Sequence, residues 1–386
     1  MTKRLLFLMV VLLALLSHTG SPSERADPDP YEIIDEHALA TPEKFEYSVE
    51  TLAAYLTVPA KSDEEKARAI YRWIAENIDY DVGIYSRPVT VSGALRESPE
   101  DVLQERIGVC SDYSSLFQAL CGAAGLECVV ISGYGKGYSY KVGAPILDQN
   151  HAWNAVKIDD KWRLVDTIWG TGYVDEDLKF VQRFEDHYFF APPADFVLDH
   201  LPTDPKWQLL DTPLSKEEFE RLPQTKSSFF RNGLEIVSQN EGVIKAKAEA
   251  EGPVEVIVSF SAPDDVVASV SLEKDGRKLD RAAFVQKEEE VYRARARPPE
   301  PGDYILRIYS KLADDPGTYE GSLFYAINVT SNVVSGAVGK IFPSTYIGHR
   351  LRQKSQCGND LGSKYDEIDW IKKGTGDPFP NPTPFM

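Results

Sequence analysis

Positive charge is scarce in this chain of 386 residues: 42 lysines and arginines face 60 aspartates and glutamates, a net charge of −18. Nucleic-acid binding needs a basic face that displaces counterions, so the balance argues against that class. It also disfavours electrostatic attachment to anionic lipid. Long apolar runs are missing too. The longest, Leu5 to Leu16, has twelve residues, short of the ~20 that span a bilayer. Stable membrane insertion is therefore not expected. Cysteine is rare, with four residues and neither a C-x-x-C pair nor a metal-ligand spacing. The glycine-rich stretch Gly133–Tyr140 lacks the Gly-Lys-Ser/Thr of a phosphate loop. No metal and no cofactor are expected.

The chain is otherwise ordinary in composition, 42% hydrophobic and 26% charged, and is long enough for two cores. Lys3 and Arg4 precede the apolar run, and Ser17-His18-Thr19-Gly20 follows it. That order describes a secretory signal peptide over residues 1–20. No cysteine follows the run, which argues against a lipoprotein anchor. The mature protein is expected to be secreted or periplasmic. Asn328-Val329-Thr330 fits a glycosylation acceptor if the source is eukaryotic.

Cys110 stands at a loop-to-helix junction, Gly108-Val109-Cys110-Ser111-Asp112-Tyr113, before a helical stretch in which Leu116, Phe117, Leu120 and Ala124 recur at helical spacing. A thiol in the first turn of a helix feels unpaired N–H groups and the positive end of the dipole, and both favour thiolate. His151 opens an alternating stretch to Ile158 that reads as a strand, and Lys161–Val165 reads as another. A two-residue Asp159-Asp160 turn makes them an antiparallel hairpin that sets His151 beside Asp166. Cysteine, histidine and aspartate so arranged suit thiol acyl transfer. The bland alternatives are a buried inert cysteine and an aspartate that caps the turn before Ile168-Trp169-Gly170.

The segments GVCSDYSSLFQAL, NHAWNAVKIDDKWRLVDTIWGTGYV and KARAIYRWIAENIDYD resemble the core of the transglutaminase-like superfamily. RFEDHYFFAPPADFVLDHLPTDPKWQLLDTPLSKEEF is similar to its kyphoscoliosis peptidase and hillarin branch. The resemblance runs from about Glu64 to Phe219. It implies a papain-like α+β fold, Cys110 as nucleophile, His151 as general base and acid, and Asp166 as the group that orients the imidazole. Gln104 lies six residues before Cys110, a spacing found in papain-like proteases, and is an oxyanion-donor candidate. A solvent-facing helix position explains it equally well. Superfamily members that cross-link proteins typically carry Trp after the nucleophile. Here Ser111 stands there, which favours hydrolysis of a peptide or side-chain amide. Other members have lost catalytic residues and act as interaction proteins, so a secreted scaffold is the rival reading, with cross-linking as a further alternative.

Five segments follow in order: the signal peptide, an extended Pro/Asp/Ser/Glu-rich leader (21–45), the transglutaminase-like domain (46–221), an all-β immunoglobulin-like sandwich (231–331) and an irregular tail (332–386). The sandwich rests on seven alternating segments, LEIVS, VIKAKAE, VEVIVSF, VASVSLE, VYRARAR, YILRIYS and SLFYAINV. A mobile loop is expected at Gly133–Tyr140. His187 and His200 read as packing or surface positions, and His37 as part of an irregular segment. If Cys110 is a reduced nucleophile, at most one disulfide can form among Cys121, Cys128 and Cys357, and the first two read as small buried residues.

Overall fold

The computed structural model describes residues 29–85, 96, 98–175, 177–248 and 254–331. The signal peptide, the start of the leader and the tail lie outside the described residues. The described part of the leader is not extended. Glu32–Leu39 form helix α1, with Glu32 and Asp35 in a first turn that suits acidic groups. Ile34 and Ala38, four apart, share one face and join the core. Asp35 is held by Arg68 at 2.7 Å. His37, in the last turn, reaches the Tyr55 carbonyl at 2.9 Å. The core domain therefore begins before residue 46.

Helices α2 (Val49–Leu56), α3 (Asp63–Asn77) and α4 (Pro99–Glu105) each start at a serine. The hydroxyls of Ser48, Ser62 and Ser98 each accept an N–H three residues on. On α3, Ala67, Ile70, Trp73 and Ile74 form the expected buried face. Helix α5, Cys110–Ala123, follows Val109, whose extended backbone ends the preceding segment.

Beside the helices lies an antiparallel sheet of β1 (Cys128–Gly135), β2 (His151–Ile158), β3 (Lys161–Val165) and β4 (His200–Pro202), in the order β3-β2-β1-β4. Asp159 and Asp160 connect β2 to β3 with φ of +47° and +60°. Two positive φ values make the tight hairpin turn that matches strand twist. Strand β2 is central and buried on both faces. Ala152 and Val156 join the helical core, while Trp153 and Ala155 pack with Tyr188 and Phe196 on the other side. Of the stretch Gly133–Tyr140, the first three residues belong to β1, and Tyr134 and Tyr140 pack against the buried cluster of Ile146, Val197, Leu201 and Phe219.

The second unit is a sandwich. Strands β5 (Glu235–Ile236), β7 (Val256–Ser261), β11 (Val291–Ala296) and β10 (Ala283–Glu288) form one sheet in that order. The other sheet runs β6 (Val243–Ala248), β13 (Glu320–Ser331), β12 (Gly302–Leu312), β8 (Val266–Lys274) and β9 (Arg277–Lys278). Strands β6 and β13 pair in parallel. Tyr304, Leu306 and Ile308 alternate inward along β12 against Phe260, Leu272 and Tyr325. Strands β9 and β10 are additions to the seven expected segments. The two units are stitched together. Gln224–Thr225 pair with Leu323–Phe324 of β13, and Arg231 binds both Glu320, at 2.6 Å, and Glu185. His187 stacks on Phe230 at 3.9 Å, and burial lowers its pKa to about 4.

Candidate active site

Cys110 is the first residue of α5 and is 3% exposed. The Asp112 carboxylate accepts the Val109 N–H at 2.9 Å and so fastens the start of the helix. Burial raises the Asp112 carboxyl to about 6, against the Val109 N–H and Arg96, which both lower it. Cys110 is disulfide-bonded, so thiol chemistry at this position belongs to the reduced protein. Cys121 and Cys128 are free thiols, and burial pushes Cys121 well up.

Helix α5 is fastened to β2 by Asn154, whose amide donates to the Ser114 carbonyl at 3.0 Å and the Val129 carbonyl at 3.2 Å. At the start of β2, His151 is 6% exposed. Its Nε2 lies 2.6 Å from Asp166 Oδ2, so that nitrogen carries the proton and Nδ1 is left as the base. Gly133 is the register partner of His151, and Gly135, two residues further along β1, lies against the ring. A Cβ there would come within 3.1 Å of the His151 side chain, so the glycine makes room for the ring.

Asp166 ends the hairpin and opens the short helix α6, Thr167–Thr171. Its Oδ1 accepts the N–H groups of Ile168 and Trp169 at 2.9 and 3.0 Å. The capping alternative is therefore met, and it does not displace the histidine contact, because the two oxygens divide the work. Burial alone would raise this carboxyl. The charge and hydrogen bond of His151, with the hydrogen bond of His200, outweigh burial and hold it well below the usual carboxylate range.

His200, expected to be a packing or surface residue, is buried and packed, and it also joins the polar cluster. Strand β4 brings its Nε2 to 2.9 Å from Asp166 Oδ2, while its Nδ1 lies 2.6 Å from Asp199 Oδ1. Tyr188 donates to the other Asp199 oxygen at 3.1 Å. Burial would lower His200, but the Asp199 charge and the hydrogen bonds to both carboxylates raise it to about 9. An Asp-His pair entering a strand was the local signal. Nothing local pointed to Asp166. His151, Asp166 and His200 each bring a ligand atom within 4.8 Å of the others, the distance range of a metal site, yet here they hydrogen-bond to one another.

Gln104 is exposed on α4, where water competes for its amide. Among the described residues, the buried Ser111 Oγ and Trp153 Nε1 have no hydrogen-bond partner. Lys136, just after β1, is 1% exposed; its Nζ lies 3.2 Å from the Leu222 carbonyl and 4.4 Å over the Phe219 ring. Burial lowers it to about 7.

Residues 50–167 match the family model of the transglutaminase-like superfamily, and residues 216–335 match that of the KY-like, immunoglobulin-like domain. Kyphoscoliosis peptidase of Mus musculus is 33% identical over 67% of this chain and 38% of its own length. The Homo sapiens protein of that name is 31% identical over 72% of this chain and 40% of its own. Hillarin of Drosophila melanogaster is 33% identical over 56% of this chain and 28% of its own. The chain thus spans less than half the length of each of these relatives. It consists of a transglutaminase-like core followed by a KY-like immunoglobulin-like domain, and it is a homologue of kyphoscoliosis peptidase and hillarin.

Proposed function

We propose that the chain is an exported cysteine hydrolase that acts on peptide or side-chain amide bonds of protein substrates. The buried His151–Asp166 hydrogen bond of 2.6 Å carries this reading, because it orients an imidazole and leaves Nδ1 as its base. In the reduced protein, His151 takes the Cys110 proton and the thiolate attacks the amide carbon. The oxyanion that forms needs donors. The Cys110 N–H at the helix start is one, and the unpartnered Ser111 hydroxyl supports a second. His151 then protonates the leaving nitrogen, the C–N bond of the tetrahedral adduct breaks, and ammonia or an amine departs, leaving a thioester on Cys110. Water, deprotonated by His151, attacks the thioester, releases the acid and restores the thiol. Ser111 in place of the cross-linkers' tryptophan supports water rather than a lysine amine as acceptor.

Export rests on the charged and apolar N-terminus. No helix among the described residues is long and apolar enough to cross a membrane. The test is mass spectrometry of a casein-like substrate treated with reduced protein, with and without a primary amine. New peptide termini or deamidated glutamines with the wild type, absent with Cys110→Ala, are the expected outcome. Amine incorporation would make the chain a cross-linker instead. Identical spectra from the two proteins would leave a binding scaffold.

A further inference from the structure

We infer that His200 is a positioning residue for the proposed hydrolase site: a buried imidazolium that shares Asp166 with His151 and thereby limits how firmly His151 holds its proton. The geometry requires the charge. Both ring nitrogens of His200 face carboxylate oxygens, at 2.6 Å from Asp199 and 2.9 Å from Asp166. A carboxylate only accepts, so both nitrogens must donate, and a ring with two N–H groups is cationic. The surroundings suit a cation. Phe196 stacks on the ring at 4.0 Å, and Trp169 and Trp153 lie at 4.3 and 5.1 Å.

The His151 ring lies 5.1 Å from the His200 ring, and both draw on the same Asp166 oxygen. A second positive charge at that distance disfavours the His151 imidazolium, which forms when Cys110 gives up its proton. Among the described residues, the other groups facing this cluster are Tyr188, which binds Asp199, His187, Lys136, Lys226 and Asp195 on the Asp199 side, and Tyr71 and Tyr113 on the Asp166 side. His200 alone among them contacts the oxygen that His151 uses.

This inference rests on the hydrolase reading, and one experiment separates the two. Iodoacetate alkylates a thiolate beside an imidazolium, and its rate falls when the imidazolium loses the proton that attracts the anionic reagent. That alkaline limb is measured on the reduced wild type, His200→Gln and Asp199→Asn, with circular dichroism to select folded variants. His200→Gln removes the charge and keeps a donor for Asp166, so the limb should move up by ~1 pH unit or more. Asp199→Asn, which weakens the hold on the His200 proton, should move it the same way by less. A purely structural role lowers the rate and leaves the limb in place, and that result, in either folded variant, overturns the inference. A wild type with no alkaline limb, alkylating at Cys110 like a free thiol, removes the hydrolase reading and the inference with it.

Discussion

Asp166→Asn keeps the side chain's size and leaves one oxygen to accept the N–H groups of Ile168 and Trp169, so helix α6 retains its cap. What changes is the other position. An amide N–H₂ now faces two ring nitrogens that each donate, and two hydrogen bonds of 2.6 and 2.9 Å are lost. Hydrogen bonds to charged groups contribute ~1.5–3 kcal/mol each, and removing one partner of a buried ion pair costs ~3–5 kcal/mol. At 1% exposure no solvent screening reduces these terms. The expected loss is ~4 kcal/mol. Its pH dependence follows from two opposite shifts. Asp166 is lowered in the folded state, so its contribution is complete above the unfolded value of ~4 and fades as pH falls. His200 is raised, so its contribution is complete below the unfolded value of ~6.5 and is lost as pH rises through about 9. The difference between wild type and variant should therefore be largest between pH ~4 and ~6.5. Urea unfolding followed by tryptophan fluorescence at several pH values measures it. A variant within ~1 kcal/mol of wild type across that window would refute the shared-carboxylate account.

Gly135→Ala places a methyl within 3.1 Å of His151 Cβ, so alkylation of Cys110 and any amidase activity should fall ~10-fold or more while the fold persists; unchanged kinetics would show that β1 and β2 absorb the methyl. Lys136→Met removes a lysine lowered by burial to about 7. Between that value and ~10 the unfolded lysine binds the proton and the folded one does not, so wild-type stability should rise with pH there. That rise should be missing in the variant, as urea unfolding at pH ~7 and ~9.5 would show.

Residues close in sequence made the hairpin legible. The Asp159-Asp160 turn fixed the register that sets His151 against Asp166, and apolar spacing located α3 and α5. Helix α1 was hidden because only Ile34 and Ala38 are buried in it, and Pro/Asp-rich residues precede it. His200 was hidden for another reason. It pairs with β1 through β4 and meets Asp166 across 34 residues of sequence, so no local pattern carries the contact. Strand β10 escaped because Ala283–Glu288 bury their side chains only in part.

Asp166 caps α6 with one oxygen and orders two histidines with the other, which has an evolutionary consequence. A descendant that lost Cys110 would still need the aspartate and both rings to fold this corner of the domain. Selection for folding alone would preserve His151, Asp166 and His200 in a protein that no longer turns over any substrate. Among homologues, an intact histidine–aspartate cluster is thus a record of shared architecture, and the nucleophile position is the one whose identity separates working enzymes from retired ones.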